Sequence, residues 1–389
     1  MSDTVVVQKY GGSSVADLER LEAVAQRVAT TRRAGHGVVV VVSAMGNTTS
    51  ELLALARSLS PAPDRRELDM LVSVGERIAM ALLAIRLRDL GIPARSLTGS
   101  QAGIVTDESH GDARVVEVRP HRLRAVLDAG EVAIIAGFQG VSTAREVTTL
   151  GRGGSDTTAI ALAAALDAAW CELCSDVDGV FSADPRVVDG ARKLDAMSLE
   201  EALALARGGA KVLNEDAVRM ARDAGVEIRA VATAGPGSGT RLTPERQPAS
   251  AATAVTGSDT LVKVRIGPME RDLAIERIRQ AGGRLRRRVG ERLYVDITNV
   301  HGPDLRHAHP SVSEEGPAAI VTAVGSSLGQ RMDLVEQGTT ALLEGGVWVV
   351  TQGSEGDVAW WEVPPDALAA SVKLVHQRLV DGIDPNADA

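Results

Sequence analysis

Val38-Val39-Val40-Val41-Val42, running into Ser43-Ala44-Met45-Gly46-Asn47-Thr48-Thr49, is the stretch that decides the fold. Five consecutive β-branched residues without polar alternation describe a strand buried on both faces, the kind found in a parallel sheet covered by helices. The run is far too short to cross a bilayer. Outward from it, strands and helices are expected to alternate. Thr4–Gln8 reads as a strand, Ala16–Arg33 as a helix, and Thr48–Leu59 and Arg65–Leu90 as two further helices. Ala94–Leu97 and Val132–Ala136 read as strands, with a helix over 119–129 between them. A helix from Asp156, a strand over 169–175, helices over 199–207 and 214–224, and a strand over Val226–Val231 complete the series. The fold class expected is α/β: a three-layer αβα sandwich around a mostly parallel sheet.

The texture changes near Ala234, where Gly, Pro, Ser and Thr dominate as in a linker. Beyond it a smaller β-α-β-β-α pattern is expected, possibly present twice. The domain boundaries expected are 1–234, a linker over 235–258, and a second region over 259–389.

Composition narrows the function. The hydrophobic share is 44% but the aromatic share only 2%, so aliphatic side chains must fill the core. A net charge of -9 argues against nucleic acid and membrane surfaces as partners, though a local basic cluster could still bind a small anion. Two cysteines, Cys171 and Cys174, exclude a disulfide framework, and the opening residues lack a signal-peptide pattern. A cytoplasmic protein is expected. The lone Cys-x-x-Cys lacks the second pair a zinc site needs, and His301, His307 and His309 lack acidic or cysteine partners at ligand spacing. No metal held by side chains is expected. Trp360-Trp361 should place one ring in the core and one at an interface, and Arg284–Arg288 should be a solvated strand edge.

Three segments carry chemistry. Lys9-Tyr10-Gly11-Gly12-Ser13-Ser14 follows a strand and opens a helix, a turn where backbone N–H groups and a lysine can meet an anion. Gly151-Arg152-Gly153-Gly154-Ser155-Asp156 is a second such turn, neither a Walker A loop nor a dinucleotide fingerprint. Ser175-Asp176-Val177-Asp178-Gly179-Val180-Phe181-Ser182-Ala183-Asp184-Pro185-Arg186 gathers acids and an arginine around one aromatic ring.

In this order, and with Ser43–Thr49, SVGERIAMALLA, GIPARSLTGSQAGIVTD and AIIAGFQGV, these segments resemble the aspartate kinases of the amino-acid kinase superfamily, from about Val5 to Thr233. The resemblance implies ATP-dependent phosphorylation of the L-aspartate side-chain carboxylate to 4-phospho-L-aspartate. Lys9 and Asp156 are then the expected catalytic pair, Lys9 stabilising the transferring group and Asp156 orienting Lys9. Arg152 would hold the α-carboxylate and Glu76 the α-ammonium group, with Ser43, Thr49 and Ser155 adding hydrogen bonds. ATP would be met by Lys9, Gly11, Gly12, Ser13, Gly153, Gly154, Ser175, Asp176, Phe181, Asp184, Arg186 and Lys211, with Mg²⁺ held mainly by its phosphates. Asn214-Glu215-Asp216 depart from the family's His-Pro-basic pattern, so weaker ATP affinity is expected. The last third resembles degenerate ACT regulatory domains of α+β, ferredoxin-like type. They imply a homodimer or higher homo-oligomer and weakened lysine and threonine feedback. Two alternatives stay open: a kinase of this fold acting on an aspartate analogue in a specialised pathway, and a non-catalytic regulatory pseudokinase.

Overall fold

In the computed structural model, which describes residues 4–235, 237–245, 252–267, 271–298 and 312–382, strands β1 (Val5–Tyr10) and β2 (Gly37–Val42) lie side by side and every residue of β2 is buried. Each such valine contributes roughly 1.5–3 kcal/mol by leaving water. They belong to an eight-stranded sheet with β3 (Ala94–Leu97), β6 (Val132–Ala136), β9 (Trp170–Ser175), β10 (Ala196–Ser198), β11 (Ile228–Ala232) and β12 (Thr240–Thr243). The order is β10-β12-β11-β9-β1-β2-β6-β3, and only the β11–β12 pair is antiparallel. Helices cover both faces. Val24 and Val28 of α1 (Leu18–Arg33) and Leu83 and Leu87 of α4 (Val74–Asp89) share one core with Val6, Tyr10, Val38, Val40 and Val42. On the other face α6 (Gly154–Ala165) lies against β1, β2 and β9, with α8 (Glu215–Ala224) packed on it. Further helices are α2 (Thr48–Leu59), α3 (Arg65–Val72) and α5 (His121–Asp128), while α7 (Leu199–Arg207) folds, from residue 200 on, with the second of the chain's two compact units. A four-stranded sheet of β4 (Ile104–Thr106), β5 (Val115–Val118), β7 (Gln139–Ser142) and β8 (Val147–Thr149), ordered β5-β4-β7-β8, lies outside the sequence expectation. Its strands have only three or four residues, too few to show an alternating pattern.

The chain divides into two compact units. The first contains the described residues of 4–180, 193–199 and 212–245; the second contains 181–192, 200–211 and the described residues from 252 onward. The second unit is built on an antiparallel six-stranded sheet. Its elements are β13 (Ala254–Ile266), α9 (Arg271–Gln280), β14 (Arg284–Val289), β15 (Arg292–Asp296), β16 (Val312–Val324), α10 (Met332–Glu344), β17 (Thr351–Glu355), β18 (Val358–Val363) and α11 (Leu368–His376). The sheet order β14-β15-β13-β16-β18-β17 shows the β-α-β-β pattern twice, the two halves meeting where β13 pairs with β16.

Several expectations change. The helix over Arg65–Leu90 is two helices, because the Ser73 carbonyl accepts from Gln139 Nε2 at 2.8 Å and Ser73 Oγ donates to the Met70 carbonyl. The strand series does not end at Val231, since Thr240–Thr243 pairs with both β11 and β10. The strand expected over Val347–Gln352 begins only at Thr351, and Trp348 is exposed. Both tryptophan rings are buried: Trp361 donates to Thr339 Oγ1 at 2.9 Å, and Trp360 lies beneath the Arg287 guanidinium. The β14 arginines do form a sheet edge, but Arg286 is paired with Asp296 at 2.7 Å rather than solvated. His301, His307, His309, residues 246–251 of the linker and the tail 383–389 lie outside the described residues. Among the described residues no helix is long and apolar enough to cross a membrane, and no cluster of three His, Cys, Asp or Glu side chains is placed to hold a metal ion.

Candidate active site

The parallel strands β1, β2 and β6 all end at the same edge of the sheet, and the turns leaving them line a cleft of about 300 Å³. Ligands of open α/β sheets bind outside the carboxyl ends of the strands, where the chain turns away in opposite directions. Here β1 is flanked by β2 on one side and β9 on the other.

The cleft is lined by Lys9, Gly11, Gly12, Ser43, Ala44, Gly46, Thr49, Glu76, Phe138 and the whole of Gly151–Asp156. Gly12 allows the β1 and β2 turns to touch: a Cβ there would stand 3.0 Å from the Ala44 carbonyl, and Gly46 N–H donates to the Gly12 carbonyl at 3.1 Å. Gly153 has φ +75°, and a Cβ on it would fall 1.9 Å from Asn214 Nδ2. Only glycine fits both conditions. The turn then delivers the first N–H groups of α6 to the cleft, an anion-favouring position.

Lys9 Nζ lies 2.6 Å from Asp156 Oδ1, with both side chains more than four-fifths shielded from solvent. Ser43 Oγ donates to Ser155 Oγ at 3.0 Å, which ties the β2 turn to α6. Glu76 stands in the first turn of α4, where the break at Ser73 has placed it. Its Oε1 accepts from the Ala44 N–H at 3.1 Å, while its buried Oε2 has no partner among the described residues. Burial pushes the Glu76 carboxyl up to about 7, and the Ala44 hydrogen bond only partly opposes that. Arg152 is exposed at the cleft, and among the described residues its guanidinium has no partner. Among the described residues, one cleft therefore holds a lysine paired with an aspartate, a buried carboxylate oxygen without a donor, and a guanidinium without an acceptor.

The other expected residues lie elsewhere. Ser13 is exposed outside the cleft lining, although the neighbouring Ser14 is buried and bonds Thr233 at 2.6 Å. Ser175 ends β9 and closes a local turn on Val177, with Asp176 exposed beside it. Phe181, Asp184, Arg186 and Lys211 fold with the second unit. There the Arg186 guanidinium clamps Asp184 in a two-pronged pair and holds its carboxyl below the usual range. Sequence reasoning missed Phe138, Ala44, Gly46 and Gly151 as cleft residues. Phe138 holds φ +66°, a conformation uncommon outside glycine, and nothing in its neighbours signals this. Ala44 acts through its backbone N–H, which leaves no mark on residue type. Asn214-Glu215-Asp216, the departure from the family's His-Pro-basic pattern, open α8: Asn214 Oδ1 accepts from the Ala217 N–H at 3.0 Å, and Arg219 pairs with both acids.

The fold and the cleft define a protein of the amino acid kinase class. The chain belongs to the amino acid kinase family, whose model matches residues 4–231. Aspartokinase from Mycolicibacterium smegmatis is 59% identical over 225 residues, covering 58% of this chain and 53% of that protein. Aspartokinase from Corynebacterium glutamicum is 57% identical over 226 residues, covering 58% and 54%. The match thus spans about half the length of these curated relatives. Among solved structures, aspartate kinase from Synechocystis is 30% identical with a TM-score of 0.57, covering 96% of this chain and 68% of that one. E. coli aspartokinase III in complex with aspartate and ADP has a TM-score of 0.85, covering 96% and 99%; at 22% identity this is a likeness of fold.

Proposed function

We propose that this protein transfers the γ-phosphoryl group of ATP to the side-chain carboxylate of L-aspartate, forming 4-phospho-L-aspartate. The observation that carries the reading is the pair of unsatisfied groups in one cleft, Glu76 Oε2 and the Arg152 guanidinium. They complement the ammonium and carboxylate of an α-amino acid, and a guanidinium suits a planar carboxylate better than an ammonium would. The aspartokinase relatives supply the choice of aspartate within that class.

The acceptor carboxylate is already ionised at neutral pH, so no general base is required. The barrier is the approach of two anions, and positioning with fixed positive charge lowers it. Lys9, shielded in the cleft, is the catalytic residue that neutralises charge on the transferring group. Asp156 is a positioning residue that fixes the Lys9 ammonium. The amides around Gly11, Gly12, Gly153 and Gly154 face the phosphates, and Mg²⁺ enters as part of the MgATP substrate.

The region 259–389 is read as a degenerate ACT-like regulatory and dimerisation module following a catalytic domain over 1–234, with 235–258 joining them. Its repeated β-α-β-β order supports that reading. Two buried free cysteines agree with work in the cytoplasm.

The test is ATP-dependent acyl-phosphate formation trapped as the hydroxamate, with L-aspartate, L-glutamate and aspartate analogues offered separately. Preference for L-aspartate supports the proposal. Preference for an analogue moves the substrate to a specialised pathway. Nucleotide binding without turnover of any acceptor identifies a pseudokinase.

A further inference from the structure

Asp69 of α3 carries a buried carboxylate, 1% exposed, that the proposed reaction leaves unused. The Gly111 N–H donates to its Oδ1 at 3.1 Å and to its Oδ2 at 3.2 Å. His110 Nδ1 lies 2.7 Å from Oδ2. Thr149 Oγ1, buried at the end of β8, donates to Oδ1. A carboxylate leaves water only where such partners replace its hydration, so their geometry is tightly specified. Asp69 thereby joins α3, the loop over 107–113 and β8, all within the first compact unit.

Two arms run from this carboxylate to the cleft. Along the first, the Ser73 N–H donates to the Asp69 carbonyl at 3.1 Å, and α4 starts at the next residue with Glu76 in its first turn. Along the second, Thr149 stands three residues before Arg152. The 107–113 loop backs the same turn. The Ala113 N–H donates to the Thr149 carbonyl at 2.9 Å, and a Cβ on Gly151 would stand 2.4 Å from Asp112 Oδ1. The turn itself is pliable, since Gly151 and Gly153 both hold positive φ, and a glycine turn takes its shape from what it rests on. Asp69 is not among the residues lining the cleft. It fastens the chain leading to Glu76 to the chain leading to Arg152.

We propose that Asp69 is a positioning residue for recognition of the acceptor: through Thr149 and the 107–113 loop it fixes the Gly151–Arg152 turn relative to α4, and so sets the spacing between the Arg152 guanidinium and the Glu76 carboxyl. That spacing has to match a carboxylate and an ammonium borne on one α-carbon. The proposal deepens the reading of the cleft as an α-amino-acid site and rests on it. The phosphate side is held differently. Gly154 opens α6, which packs on β1, β2 and β9, and Lys9 pairs with Asp156 on that helix. Loosening Asp69 should therefore weaken the acceptor and spare the nucleotide.

The experiment compares full-length wild type, Asp69→Asn, Thr149→Val and Thr149→Ser, measuring KM for L-aspartate and for ATP together with direct titrations of L-aspartate and MgATP. Thr149→Val keeps the shape and removes only the hydroxyl that reaches Asp69, so it decides the matter should Asp69→Asn fail to fold. The expected result for Thr149→Val is a rise of about tenfold in aspartate Kd and KM, with the ATP values within about twofold of wild type. Thr149→Ser restores the hydroxyl and should recover most of the loss. In an Arg152→Lys background, which already lacks the planar fork, Thr149→Val should add little. An unchanged aspartate Kd in Thr149→Val overturns the proposal, as does an equal rise for both substrates or a full tenfold effect in the Arg152→Lys background. Wild type that prefers another α-amino acid replaces aspartate as the acceptor, and the same ratios measured with that acceptor decide the role of Asp69. Wild type that binds MgATP but no α-amino acid overturns the reading of the cleft and this proposal with it.

Discussion

At the scale of the residue, Glu76 carries the clearest consequence. Burial holds its carboxyl at about 7 against an ordinary 4.5. In the empty cleft it becomes neutral as pH falls through about 7, and an α-ammonium group then loses its anionic partner. Aspartate KM is therefore expected to rise several-fold between pH 8 and pH 6, and Glu76→Gln should show a high KM with little pH dependence over that range. Stability runs the other way. A raised folded-state value gives a contribution that is complete below about 4.5 and is lost as pH climbs to about 7. Glu76→Gln should thus be more stable than wild type at pH 8, by on the order of 2 kcal/mol in urea unfolding, and equal to it near pH 4.5. A wild-type aspartate KM that is flat from pH 8 to 6 would remove Glu76 from the site. Arg152→Lys keeps the charge but loses the planar fork, so aspartate KM should rise about tenfold while ATP KM stays put.

At the scale of the element, the start of α8 shows how a departure from a family pattern is accommodated. Asn214 caps the helix, Glu215 and Asp216 stand in its first turn, and Arg219 lies one turn on against both acids. Negative charge at a helix N-terminus is favourable. Asn214 also reaches across to the substrate turn, its Nδ2 donating to the Arg152 carbonyl at 3.5 Å. Asn214→Ala is expected to cost about 1 kcal/mol as a lost cap. It should also raise aspartate KM by loosening the Gly151–Gly154 turn. Denaturation together with KM for both substrates checks this, and a pure stability loss with normal KM would confine Asn214 to the cap. The break between α3 and α4 belongs to the same scale. Ser73 is not a helix breaker by type; Gln139, 66 residues away in β7, captures its carbonyl. Sequence periodicity reports local preference and cannot register that contact.

At the scale of the whole molecule, two compact units share one chain that passes between them more than once. Segments 181–192 and 200–211 interrupt the kinase-family stretch yet fold with the second unit. Composition near Ala234 shows a change of texture but gives no hint of these excursions. The degenerate ACT-like reading makes a prediction at this scale: lysine plus threonine at millimolar concentration should leave aspartate-dependent turnover within about twofold of the uninhibited rate. Strong joint inhibition would show that an effector site survives despite the altered loops.

What the sequence determined by itself was the α/β sandwich and most of the polar side chains of the cleft. Both rest on local signals. A short run of β-branched valines favours a doubly buried strand, and the glycine turns that follow β1 and open α6 need small residues where another segment approaches closely. Lys9, Ser43, Thr49, Glu76, Arg152, Ser155 and Asp156 are legible through the family resemblance that those turns, Ser43–Thr49 and SVGERIAMALLA carry, and they line one cleft at the edge where the parallel strands end. Tertiary structure alone decided which groups in that cleft are satisfied and which are left open. The Ala44 amide on Glu76 and, among the described residues, the guanidinium of Arg152 without an acceptor are matters of distance between segments far apart in sequence. It also decided that Asp69 answers to Thr149, since a hydrogen bond spanning 80 residues leaves no trace in the pattern of either segment.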